Sequence, residues 1–107
     1  MTAFSDWLIN QGWTVTREVN FVDVVAERGG KLLLAEAKGR TASPGLDVDT
    51  MYGQLLRRMG PPNEHVRYAV VVPDSALAAA ERVPDHVRNL LRIDVYAVSE
   101  AGQVSQR

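Results

Sequence analysis

Hydrophobic positions change their period several times along this chain, and each change marks an element. Phe4, Trp7 and Leu8 recur at helical spacing, and Gly12 follows as a left-handed stop, which predicts a short amphipathic helix over 3–11. Trp13, Val15 and Val19 then alternate with Thr14, Thr16 and Glu18, the period of a strand with one wet face. Two further strands, Phe21–Glu27 and Lys31–Lys38, are rich in Val and Leu and meet across Gly29-Gly30. Two glycines between apolar runs predict a hairpin, because both central residues of a type I′ turn need positive φ. These strands are apolar on both faces near the turn, so both sides of the sheet require cover.

Residues 39–48 (GRTASPGLDV) read as a loop by composition, with Asp49 as the N-cap of the next helix. Met51, Tyr52, Leu55 and Met59 mark one face of that helix, and Gly60-Pro61-Pro62 ends it. Arg67–Val72 is a buried strand closed by Pro73. Asp74 or Ser75 caps a short alanine-rich helix, and Pro84 opens another carrying Val87, Leu90 and Leu91. Ile93–Val98 is the last strand, and the polar tail from Ser99 is expected to fray. The order is helix, three strands, helix, strand, helical segment, strand. Three meander strands followed by βα alternation predict an α/β fold, a mixed central sheet with helices on both faces. The expected organisation is one domain over 1–98 with a tail over 99–107.

Composition narrows the classes. At 107 residues and 46% hydrophobic, the chain is sized for one real core. It has no cysteine, which excludes disulfides and cysteine zinc sites and fits a reducing cytoplasm. Neither a signal peptide nor a membrane span is expected from the sequence. The net charge of −1 counts against a protein that merely coats nucleic acid. It does not count against a site whose carboxylates hold a metal.

The chemistry comes from register. With Gly29 and Gly30 as the loop, Arg28 faces Lys31, and five residues back along each strand Asp23 faces Glu36. Their Cβ atoms then lie about 4.5–5.5 Å apart on one face. Lys38, two residues past Glu36, shares that face. Facing carboxylates inside an apolar hairpin repel each other and are costly to desolvate. The bland alternative is a solvated sheet end where each acid meets a nearby Arg or Lys. Three polar residues converging through an independent turn signal favour a divalent cation instead. Mg²⁺ takes oxygen ligands and keeps several waters beside one or two carboxylates. Those waters can supply a nucleophile, with Lys38 orienting or deprotonating it, or stabilising transition-state charge.

The run VNFVDVVAERGGKLLLAEAKGR resembles the core hairpin of the PD-(D/E)XK nuclease superfamily. Asp23 matches its first acid and Glu36-Ala37-Lys38 its E-x-K element, with 12 residues between. The resemblance covers about the first 72 residues, and Val22 stands where the family has proline. It implies a restriction-endonuclease-like αβββαβ core, Mg²⁺ (or Mn²⁺) held by Asp23 and Glu36, and hydrolysis of phosphodiester bonds, with DNA as the expected substrate. Many members carry a further acid on an earlier element. Glu18 is the candidate here: if Val19-Asn20 is a tight turn, Glu18 faces Phe21 on the Asp23 side. Several branches also place a glutamine near the metal, which makes Gln54 a candidate for holding water or a phosphate oxygen.

Lys38, Arg40, Arg57 and Arg58 are expected to form a basic rim for the nucleic-acid backbone. The loop after the E-x-K strand is expected to close over substrate. His65 and His86 read as surface residues, Trp7 and Trp13 as core, and Asp47 and Asp49 as helix caps. Two sites are needed to cut both strands, so a homodimer is open, although no sequence feature demands it. Two rivals stand beside the nuclease: a non-catalytic nuclease-like module that binds protein or nucleic acid, and a subunit active only within a larger complex.

Overall fold

A computed structural model describes residues 2–19 and 22–107, with the side chains of Thr2, Glu18 and Val19 outside that description. The elements run α1 (Thr2–Asn10), β1 (Thr14–Val19), β2 (Val22–Arg28), β3 (Lys31–Ala37), α2 (Pro44–Arg57), β4 (Val66–Pro73), a 3₁₀ turn (Asp74–Ala76), α3 (Leu77–Ala80), α4 (Asp85–Leu91), β5 (Ile93–Val98) and β6 (Val104–Gln106). The strands form one six-stranded sheet in chain order, β1-β2-β3-β4-β5-β6. The first three make an antiparallel meander, β3, β4 and β5 are parallel neighbours, and β6 returns antiparallel. Helical crossovers are what parallel neighbours require, and α2 and the α3–α4 segment supply them. The αβββαβ core and mixed α/β sheet expected from the sequence are therefore present.

The β2–β3 hairpin turns on Gly29 (φ 58°) and Gly30 (φ 80°), a pair of left-handed residues that a Cβ would strain. Its register runs Arg28↔Lys31 through Val24↔Ala35, as the diglycine predicts. Alternation splits the strands between two cores. Val24, Ala26, Leu33, Ala35, Ala69 and Val71 pack with Phe4 and Leu8 of α1 on one face. Val70, Val72, Ile93 and Val95 pack with Val48, Met51, Tyr52 and Leu55 of α2 on the other. Leu55 is fully buried, so truncating it to Ala costs roughly 2–5 kcal/mol. Both faces are covered, as the strands' composition demands.

Three expectations need correction. The segment read as loop to Val48 is helical from Pro44: Ser43 is the cap position and Pro44 the first turn, where proline's fixed φ and missing N–H are harmless. Asp49 is therefore inside α2, and Asp47 lies in its first turn instead of preceding it. The tail does not simply fray, because Val104–Gln106 pairs with Tyr96–Val98 as an edge strand. Finally, Val19 is not a turn residue. It pairs with Val22 at the end of β1, and residues 20 and 21 lie outside the described residues.

Candidate metal and active site

Asp23 and Glu36 meet on the α2 face of the sheet. Val25 pairs with Leu34 and Leu34 packs against the α2 core, so the residues two positions away on each strand share that face. Asp23 Oδ2 accepts a hydrogen bond from the Ala37 N–H at 2.9 Å, which ties the acid to the partner strand beside Glu36. Glu36 is 3% exposed, one of few charged residues buried in this fold. Its Oε1 receives no hydrogen bond. Arg58, just beyond α2, brings Nη1 to 3.2 Å from that oxygen, off the hydrogen-bond line. The same Nη1 donates to the Gln54 carbonyl at 2.9 Å. The contact with Glu36 is thus Coulombic only.

The electrostatics follow from this geometry. Burial raises the Glu36 pKa from 4.5 to about 7, the Asp23 charge and a hydrogen bond shared with Asp23 push the same way, and Arg58 opposes them. A carboxyl buried beside a second negative charge favours its protonated form. Near neutral pH, Glu36 is therefore poised between its two protonation states.

Lys38 continues the alternation of β3, with its N–H donating to the Val71 carbonyl. Its side chain is half-exposed, and Nζ lies 3.8 Å from Asp47 Oδ2 in the first turn of α2. Asp47 also accepts a short hydrogen bond from the Thr41 hydroxyl. Asp47 therefore faces the lysine of the site, a role that the loop-like composition of residues 39–48 obscures. The Ser43-Pro44 pair was the sequence signal for the earlier helix start.

The other candidates divide. Arg58 reaches the acid pair. Arg40 is almost fully exposed and lies 3.9 Å from Glu100. Arg57 is exposed on α2, near Gly53. The basic rim therefore does not converge as a unit. Gln54 is partly exposed, and its carbonyl anchors Arg58. Glu18 lies between the β1 residues that pair with Val24 and Val22, at the level of Asp23 and not of Phe21; its side chain is outside the described residues. His65 and His86 are exposed, as expected. Trp13 is only half-buried, with the Arg28 guanidinium over its ring.

Oxygen donors that lack partners suit a hard cation. Two carboxylates with one unsatisfied buried oxygen match what Mg²⁺ asks of a protein. Among the described residues no group of three or more His, Cys, Asp or Glu forms a cluster for a metal, so Asp23 and Glu36 are the donors that fit. Beyond them, a cleft of about 760 Å³ opens at the carboxyl ends of β3, β4 and β5, lined by Lys38, Arg40, Asp74, Ser75, Ser99 and Glu100. Ligands of open α/β sheets bind at such strand ends. No helix among the described residues is long and apolar enough to cross a membrane.

No family model matches the chain, and no curated protein matches it. Two solved structures share its fold. An XisH family protein from Nostoc punctiforme PCC 73102 superposes with a TM-score of 0.65 at 18% identity, over 98% of this chain and 94% of that one. An fdxN element excision controlling factor protein from Anabaena variabilis gives 0.64 at 18% identity, over 99% and 98%. At this identity the likeness shows the fold, and it extends along the whole chain.

Proposed function

We propose that this chain is a metal-dependent nuclease that hydrolyses phosphodiester bonds in DNA. The observation that carries the reading is the buried Glu36 beside a partly buried Asp23, with an unsatisfied oxygen and a raised pKa on Glu36. Burying an acid beside a second carboxylate destabilises a fold unless a cation joins them. Asp23 and Glu36 would hold Mg²⁺, with Mn²⁺ as a substitute. When bound, the ion supplies Lewis acidity toward a phosphate oxygen.

The chain's own residues do the rest. The Ala37 N–H fixes Asp23, so that acid is oriented before any ligand arrives. Lys38 presents its ammonium on the same face, at the mouth of the strand-end cleft. There it can orient water or meet charge developing on the phosphate. Asp47 holds that ammonium on the α2 side. Gln54, one turn before Arg58, lies on the helix next to the site and is assigned to positioning water. The cleft gives a phosphate backbone a route past Lys38, with Arg40 at its rim.

A second reading is a control subunit that acts within a larger complex. It draws on one structural neighbour being an excision controlling factor, and on a net charge of −1 that makes weak DNA binding by the isolated chain the expectation. A cleavage assay separates the two. Purified chain with Mg²⁺ or Mn²⁺ is expected to cut single-stranded, duplex or branched DNA, and Lys38→Ala is expected not to. No cutting of any substrate by the wild type, with metal binding intact, would favour the subunit reading.

A further inference from the structure

At the opposite end of the sheet, on the opposite face, lies a second cleft that the acid pair does not explain. It measures about 340 Å³ and is lined by Trp13, Arg28, Lys31, Arg67, Arg92 and Asp94, among others. Leu33 packs in the α1 core, so Lys31, two positions earlier, shares the α1 face; Arg28 pairs with Lys31, and Arg67 with Leu33. Glu36 points to the other face and lies about 17 Å further along β3 at the usual rise per residue.

The cleft is locally basic in a chain of net charge −1. Four Arg and Lys side chains line it against two carboxylates, Glu64 and Asp94. Both carboxylates are engaged. Asp94 takes the Nε and Nη2 of Arg67 at 2.8 and 2.7 Å, and Glu64 Oε1 lies 3.5 Å from His65 Nε2. Arg28, Lys31 and Arg92 have no carboxylate partner among the described residues.

Two of these cations are held in place. Arg92 follows α4 in a left-handed conformation (φ 59°), where helices usually end on glycine. Its Nε and Nη2 bond the carbonyls of Val66 and Glu64, which leaves Nη1 for another acceptor. Arg28 donates to the Gln11 carbonyl, and its guanidinium lies 4.5 Å from the centroid of the Trp13 ring. A flat cation over an indole is a platform on which a nucleobase stacks.

We propose that this cleft binds single-stranded nucleic acid. Arg28, Lys31 and Arg92 meet its phosphates, and the Arg28–Trp13 platform meets a base. Bases inside a straight duplex are stacked on their neighbours and cannot lie on that platform, so the ligand is a flexible strand with unstacked bases. An acidic peptide would use the charges and leave the platform idle. The assignment does not depend on whether Asp23 and Glu36 cut.

The test is fluorescence anisotropy of a labelled oligothymidylate with the full chain in EDTA, where no metal-dependent binding or cutting contributes. Lys31→Glu and the Arg28→Ala/Lys31→Ala pair are expected to weaken binding by about tenfold or more. The double variant is expected to reduce the slope of log affinity against log salt by about one to two. Lys31→Arg, which keeps the charge, is expected to retain wild-type affinity. Both side chains are exposed beside the hairpin turn, and thermal melts of each variant separate lost binding from lost folding. Wild-type affinity in the folded double variant would overturn the proposal. So would polyglutamate or inorganic phosphate binding as tightly as the oligonucleotide.

Discussion

Arg58 brings a guanidinium nitrogen to 3.2 Å from the buried Glu36 carboxyl, yet no hydrogen bond reaches that oxygen. A buried acid with a cation near but misaligned is only partly compensated. A ligand that supplied the missing contact would complete it.

The first concerns stability against pH without divalent metal. Glu36 titrates at about 7 when folded and near its ordinary 4.5 when unfolded. The folded chain therefore binds the proton more tightly, and stability from this group is full below pH 4.5 and lost as pH rises through 7. A shift of this size corresponds to on the order of 3 kcal/mol. Urea melts in EDTA should show wild type losing stability from pH 5 to pH 8 relative to Glu36→Gln. Parallel curves for the two proteins would refute the assignment.

Glu36→Gln itself should separate stability from function. The neutral amide keeps the shape and removes the buried charge, so the metal-free variant should gain roughly 1–3 kcal/mol at pH 8. It should also lose its stabilisation by Mn²⁺. Thermal melts with and without the ion read both effects.

Removing Arg58 should do the reverse. Arg58→Ala takes away the cation that opposes the raised Glu36 pKa, so metal-free stability at pH 8 should fall by roughly 1–3 kcal/mol. The loss should shrink below pH 6, where Glu36 holds its proton. Added Mn²⁺ should raise Tm more in this variant than in wild type. An equal rise would mean that Arg58 does not share the site.

Lys38 and Asp47 lie 3.8 Å apart and are both partly exposed, so their ion pair contributes at most about 1 kcal/mol to folding. Asp47→Asn should accordingly leave Tm nearly unchanged. If Asp47 orients the site lysine, the same variant should slow DNA cleavage by about tenfold, while Lys38→Ala slows it by about 10²–10⁴. A normal rate in Asp47→Asn would reduce the pair to a surface contact.

How much of this was legible depended on how locally each feature is encoded. The diglycine sets the β2–β3 register through turn geometry alone, so the facing of Asp23 and Glu36 follows from two residues and a period of two. The start of α2 at Pro44 is masked by the loop-like composition of residues 39–48, which outweighs the Ser43-Pro44 start signal and hides Asp47 from the site. The partnership of Arg58 with Glu36 could not be read from spacing, because it depends on how α2 packs across the sheet. Arg40 and Arg57 share the charge of Arg58 but not its placement, and composition does not distinguish them. The β6 strand is not legible in the sequence because three residues with one apolar side chain carry no period of their own; pairing with β5 creates the strand.

Calorimetric titration of Mn²⁺ into the wild type, Asp23→Asn and Glu36→Gln proteins reads whether the acid pair holds a metal. One ion per site is expected in the wild type. Binding should release close to one proton at pH 6, where Glu36 is protonated, and almost none at pH 8.5. Both variants should abolish binding while remaining folded. Wild-type protein that binds no Mn²⁺, or variants that bind it as the wild type does, would contradict the claim that this acid pair exists to hold a metal.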